Sequence, residues 1–351
     1  MIDKIKITTD KGQVVEASAP VIISASRSTD IPAFYAKWFI NRFKLGYVVW
    51  YNPFNQQPSY VSFRNCKVVV FWTKNPKPLI PYLKELDALG IHYYFQFTLN
   101  DYAKELLESN VPALGKRINT FKELSDLIGK EKVIWRFDPM IVTPQLSPRD
   151  ILMKVWLIGN QLKGYTNKLV FSYIDINSYR KVQRNLVKES SLFSKNSIEN
   201  AEFTLLQMNE IAEGLMKIRD RWKEDGWTIS LNTCAEEIDL EQYQIEHNRC
   251  IDGELMKHIF SEDDDLIFYL NYGKLPEKNS LFANEENKIP LSPEKLKDKG
   301  QRKNCGCMVS KDIGVYNTCS HFCTYCYANT SKDTVIKNRN LHTDNSESII
   351  I

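Results

Sequence analysis

At 351 residues and 40.9 kDa the chain is too long for one small module and suits one α/β barrel or two ordinary domains. With 43% apolar residues, 12% aromatics and 14 glycines it can fill a large core, which excludes a disordered chain and one that relies on disulfides. A formal charge of +3 is too small to point to nucleic acid by itself, and no apolar run nears the roughly 20 residues of a membrane helix, so a soluble protein without a membrane partner is expected.

The opening "MIDKIKITTDKGQVVEA" does not read as a secretory leader, so the eight cysteines are expected to stay reduced in a cytoplasm. Short β-branched and aromatic runs then alternate with helical periodicity, as repeated βα units do. "VIISAS" (21–26) precedes the helical "IPAFYAKWFINRF", and "KVVVFW" (67–72) precedes "PLIPYLKELDALG". Between them "YVVWYNPFNQQPSYVSF" (47–63) reads as a hairpin around Pro53 to Pro58, inserted or at an edge. "YYFQFTL" (93–99), "KVIWRF" (132–137), "KLVFSYI" (168–174) and "WTISLN" (227–232) continue the strands, and "DIGVYN" (312–317) is a final short one. The helices between are "INTFKELSDLIG", "SPRDILMKVWLIGNQL" and "AEFTLLQMNEIAEGLMKIRDRW". About seven βα strands predict a complete or partial TIM-like (β/α) barrel, with a doubly wound sheet as the rival.

Residues just past each strand mark the edge where α/β folds bind ligands. They are Arg27, Thr29 and Asp30; Thr73, Lys74 and Asn75; Gln96, Thr98 and Asn100; Arg136 and Asp138; Asp175; and Asn232, Thr233, Glu236 and Glu237. Any one could cap the following helix; as a ring they predict a polar pocket. Arg27, Lys74 and Arg136 would suit a carboxylate or phosphate of substrate or cofactor. The expected organisation is a barrel body over 1–272, a polar linker or cover over 273–304, a cysteine block over 305–330 that completes the barrel, and a frayed tail over 331–351.

"YNTCSHFCTYCYAN" (316–329) places Cys319, Cys323 and Cys326 on one compact loop with Cys-x3-Cys-x2-Cys spacing and no fourth cysteine. Structural zinc and fully ligated iron–sulfur clusters both want four protein ligands, so three suit a four-iron cluster with one exposed iron. The stretch resembles the signature of the radical S-adenosylmethionine superfamily, Cys-x3-Cys-x-aromatic-Cys, with Tyr325 as the aromatic. The resemblance implies a [4Fe–4S] cluster on Cys319, Cys323 and Cys326, S-adenosylmethionine chelated to the unique iron, and hydrogen abstraction by a 5′-deoxyadenosyl radical. It implies a cofactor site including Tyr325 near the adenine, with Arg27, Thr29, Asp30 and Arg136, and a reductant such as flavodoxin or ferredoxin.

In most of that superfamily the loop follows the first barrel strand, whereas here it follows the last, which implies a circular permutation with "DIGVYN" beside "VIISAS". The pyrimidine synthase of thiamine biosynthesis also carries late cluster cysteines. "ISASRSTDIPAFYAKWF", "FWTKNP", "VIWRFDP", "TCAEEIDL" and the cysteine block together resemble a bacterial and archaeal family known only as a domain of unknown function, over about residues 20–330. Spore photoproduct lyase offers an analogy at the level of fold; the substrate, whether small molecule, peptide or nucleic acid, stays open.

Cys66 reads as a small core residue. Cys234, Cys250, Cys305 and Cys307 are expected to share a second metal site, an auxiliary [4Fe–4S] cluster first and zinc next. The competing function is a non-catalytic zinc knot on Cys305, Cys307, Cys323 and Cys326, with His321 as a further ligand and "KLKDKGQRK" touching phosphates of a nucleic acid.

Overall fold

A computed structural model describes residues 2–277 and 289–350. Twelve strands are described: β1 Asp3–Thr8, β2 Val14–Ala19, β3 Ile22–Ala25, β4 Tyr47–Tyr51, β5 Pro58–Ser62, β6 Val68–Thr73, β7 His92–Thr98, β8 Val133–Met140, β9 Lys168–Tyr173, β10 Ser230–Thr233, β11 Ile245–His247 and β12 Lys311–Asp312. Eight of them form one sheet in the order β11-β10-β9-β8-β7-β6-β3-β12, every pair parallel. Lys311 stands opposite Ile23 and Asp312 opposite Ser24, so the last strand lies beside the first of this sheet. Among the described residues β11 and β12 are its edges. The coarse expectation of a parallel α/β fold is therefore met, with eight strands rather than about seven.

Alternation on these strands divides two cores. Val69, Phe71, Phe95, Trp135 and Phe171 point to the face covered by the long connecting helices. Val68, Val70, Tyr94, Ile134 and Val170 point to the other, which Ile251, Met256, Leu266, Leu270 and Met308 cover. Burial on both faces explains why β6 reads as an unbroken apolar run. The helices start where the chain supplies caps. Ser147 and Asp150 form a capping box ahead of Pro148–Leu162, and Thr204 with Gln207 does so ahead of Leu205–Glu224. These two helices meet where Gly159 leaves room for the Trp222 ring; a Cβ there would lie 2.1 Å from it.

The expected hairpin is β4 with β5, paired antiparallel within a second sheet of order β1-β2-β5-β4. β11 and the helices Gly253–Ile259 and Asp264–Tyr272 were not anticipated. They are short and carry no long periodic run. Of the 273–304 cover, residues 278–288 lie outside the described ones, and the rest includes the short helix Pro293–Leu296.

The expected frayed tail is a correction. Residues Lys332–Leu341 form a helix capped by Ser331. Trp38 Nε1 donates to Ser346 O at 2.8 Å, Val49 N donates to Glu347 O at 2.8 Å, and Ile349 is fully buried. Polar composition hid these docking bonds, which are made mostly by backbone carbonyls. Among the described residues no helix is long and apolar enough to cross a membrane.

Candidate metal centre

Asp312 ties β12 to the end of β3. Its carboxylate accepts from Ser24 Oγ (2.7 Å), Ser26 Oγ (2.7 Å), Arg27 N (3.0 Å) and Gly314 N (2.8 Å). A Cβ on Gly314 would stand 1.8 Å from Ser26 Oγ, so glycine alone allows this approach. Beyond it the chain enters the cysteine loop, which docks on the carboxyl ends of β3, β6 and β7.

Thr29 Oγ1 bonds Val315 O and Thr318 Oγ1, both at 2.7 Å, and Tyr35 OH donates to Thr318 O at 2.8 Å. Asp30 accepts from Thr73 Oγ1 (2.7 Å), Lys74 N (2.7 Å) and Ala33 N (2.9 Å), and pairs with His321 Nε2 at 2.7 Å. Thr29 and Asp30, expected to contact a cofactor, thus have their polar atoms engaged in holding the loop. His321 is 2% exposed and serves as a tether from inside it.

The segment after β7 grips the loop from the other side. Thr324 N donates to Leu107 O (3.0 Å), Asn110 N to His321 O (3.1 Å) and Asn110 Nδ2 to Ser320 O (2.7 Å), while Glu108 and Cys323 pair across an antiparallel bridge. Glu108 is buried. Its Oε1 accepts from Lys74 Nζ at 2.7 Å and from Tyr325 OH, and its Oε2 has no hydrogen-bond partner. Burial alone would raise this carboxyl, but Lys74 and Arg117 beside it outweigh burial and hold it at about 2. Lys74 Nζ also reaches Tyr325 OH at 3.0 Å, so lysine, carboxylate and tyrosine form one partly buried cluster against Cys323.

Cys319, Cys323 and Cys326 are free thiols. Burial pushes Cys319 up to about 12 and raises the other two as well. A cleft lined by Asn185, Phe322, Cys323, Thr324, Asn329 and Lys332 opens beside the loop.

The other four cysteines gather elsewhere. Cys234 Sγ lies 3.5 Å from Cys250 Sγ, and Ile251 N donates to Cys307 Sγ at 3.4 Å. Hydrogen bonds from Cys234 and Cys307, with the nearby Arg136 and Arg27 charges, hold the Cys250 thiol well below its ordinary range despite burial. A hydrogen bond to Cys307 brings Cys305 to about 6. Arg136 donates to Cys250 Sγ (3.1 Å) and Gln96 Oε1 (3.1 Å) and pairs with Asp138. Cys305 and Cys307 therefore neighbour Cys250 rather than the Cys323 and Cys326 that a zinc knot would require. Among the described residues no group of three or more His, Cys, Asp or Glu encloses a common point as a ready metal site. Cys66 is buried beside Val68 O, as a core residue.

Sequence reading missed Glu108, Asn110 and Asp312 as organisers. Glu108 lies inside "DYAKELLESN", far from a strand end, and only the loop's return to it reveals its role. Glu236, from the polar ring, accepts from Tyr173 N at 3.0 Å and is pushed up to about 7 by burial. The sequence pattern of one protein family, described as a domain of unknown function (DUF1848), matches residues 22–328. No curated protein and no solved structure matches the chain.

Proposed function

Because the chain belongs to the DUF1848 family, which carries no assigned activity, its chemistry must be argued from its side chains, and we propose that it is a radical S-adenosylmethionine enzyme. The observation that carries this reading is the loop itself. Three free thiols at Cys-x3-Cys-x2-Cys spacing are presented at the carboxyl edge of a parallel sheet, on a loop bonded to Thr29 after β3, Lys74 after β6 and Leu107 and Asn110 in the segment after β7. In this reading the order β12-β3-β6-β7-β8-β9-β10-β11 is a partial (β/α) barrel entered at its second strand.

The donor set fits a [4Fe–4S] cluster on Cys319, Cys323 and Cys326. The thiols are soft ligands, and all three are free and lie on one short loop. When bound, cluster and S-adenosylmethionine would supply reductive C–S cleavage and a hydrogen-abstracting 5′-deoxyadenosyl radical, with the electron coming from a flavodoxin- or ferredoxin-like reductant. The chain's own part is positioning. Asp30 and His321 fix the loop on one side, Leu107 and Asn110 on the other, and the Lys74 ammonium faces Cys323, where it offsets thiolate charge. Tyr325, tied to Lys74 and Glu108, holds the loop's third turn in place.

The test is electron paramagnetic resonance on anaerobically reconstituted, reduced protein. A four-iron signal that changes when S-adenosylmethionine is added supports the reading; a signal indifferent to it overturns cofactor binding at the cluster.

A further inference from the structure

Three chain segments bring four cysteines together away from the Cys319 loop. Cys234 follows β10, Cys250 follows β11, and Cys305 and Cys307 precede β12. Cys234 Sγ lies 3.5 Å from Cys250 Sγ, and Cys307 Sγ accepts from the N–H of Ile251, the residue after Cys250, with Cys305 two residues away on the same segment. Cys250, Cys305 and Cys307 are 5%, 9% and 2% exposed.

The surroundings of these thiols are cationic. Arg136 Nη1 donates to Cys250 Sγ at 3.1 Å and Asn248 Nδ2 does so at 3.3 Å. The Arg27 guanidinium faces Cys307, Cys250 and Cys305, stacks over Trp72 at 5.1 Å, and leaves its buried Nη2 without a partner. Among the described residues no carboxylate forms an ion pair with Arg27 at salt-bridge distance. Arg136 is already paired with Asp138, but the Arg27 guanidinium, with its Nη2 buried and unpartnered, would be costly beside neutral thiols and suits an anionic centre.

We propose that Cys234, Cys250, Cys305 and Cys307 are the four ligands of a second metal centre, a single tetrahedral ion such as Zn²⁺. Four thiolates around a divalent ion leave a net charge of about −2, which Arg27 and Arg136 face. Thiolates about 2.3 Å from one tetrahedral ion stand roughly 3.8 Å apart, close to the 3.5 Å between Cys234 and Cys250. A cubane spreads its thiolates farther. The four sulfurs do not themselves enclose an ion, but χ1 rotation re-aims a cysteine sulfur without moving the backbone.

The centre would act as a clip between sheet edges. β10 and β12 stand six strands apart, roughly 29 Å if the sheet were flat. Met308 N already donates to Ile251 O at 3.1 Å, and an ion on these four thiols would lock the segment that delivers β12 and the Cys319 loop.

The test uses the full chain with Cys319→Ala, Cys323→Ala and Cys326→Ala, so that the proposed cluster contributes no metal and the outcome is separate from S-adenosylmethionine chemistry. Elemental analysis is expected to find about one zinc per chain, lost when Cys250→Ser and Cys307→Ser are added. Should that fivefold variant not fold, cobalt(II) replacing zinc in the triple variant gives an independent reading, an intense thiolate-to-cobalt charge-transfer band. Zinc-free protein without a cobalt–thiolate band overturns the site. About four irons with sulfide in place of zinc overturn the single-ion assignment.

Discussion

Replacing Glu108 by Gln probes how the cysteine loop is held. The carboxylate keeps the shape and a hydrogen bond to Tyr325 as an amide but loses its charge against Lys74 and Arg117. A carboxyl held at about 2 instead of its ordinary 4.5 stabilises the fold by about 3 kcal/mol at neutral pH. Stranding the largely buried Lys74 ammonium, 14% exposed, places the total cost at about 3–5 kcal/mol. The sign over pH is fixed: the folded value lies below the unfolded one, so the stabilisation is complete above about pH 4.5 and is lost as pH falls through about 2. Urea unfolding followed by tryptophan fluorescence should show Glu108→Gln well below wild type at pH 7, with the gap narrowed by about 2 kcal/mol at about pH 3. Equal midpoints at pH 7, or a gap that does not narrow in acid, would refute the claim that this ion cluster anchors the loop.

Gly314→Ala puts a methyl 1.8 Å from Ser26 Oγ, so a loss of about 1–3 kcal/mol is expected in thermal unfolding, together with lower iron retention. Asp30→Ala strips the acceptor shared by Thr73, Lys74 N and His321, at about 1–3 kcal/mol for each buried donor left alone; faster bleaching of visible absorbance in air would register the loosened loop. Glu236 is held neutral by burial up to about pH 7, so wild-type stability falls as pH rises from about 4.5 to 7, whereas Glu236→Gln should be flat there by the same urea assay.

Much of the sheet was legible because its strands are buried on both faces and so read as unbroken apolar runs, "KVVVFW" above all. The placement of β12 beside β3 followed from chemistry rather than pattern, since a useful cysteine loop must reach the carboxyl edge. β12 is only two residues long, and periodicity alone would not have marked it. That polar residues stand at the strand ends was also readable, yet what Thr29 and Asp30 do there was not. Thr29 and Asp30 hold the loop's backbone and His321, and their partners come from nearly 290 residues away in the chain. Glu108 escaped notice for the same reason, as a surface-looking glutamate buried only by a distant segment. The docked C-terminus was missed because its bonds run through carbonyls of Ser346 and Glu347, which leave no trace in side-chain pattern.

The proposed radical chemistry requires Cys319, Cys323 and Cys326 to support reductive cleavage of S-adenosylmethionine. Anaerobically reconstituted protein given dithionite and S-adenosylmethionine should release 5′-deoxyadenosine, and a Cys323→Ala variant treated alike should not. Wild-type protein with an intact four-iron cluster and no release above that variant would contradict radical S-adenosylmethionine chemistry at this loop.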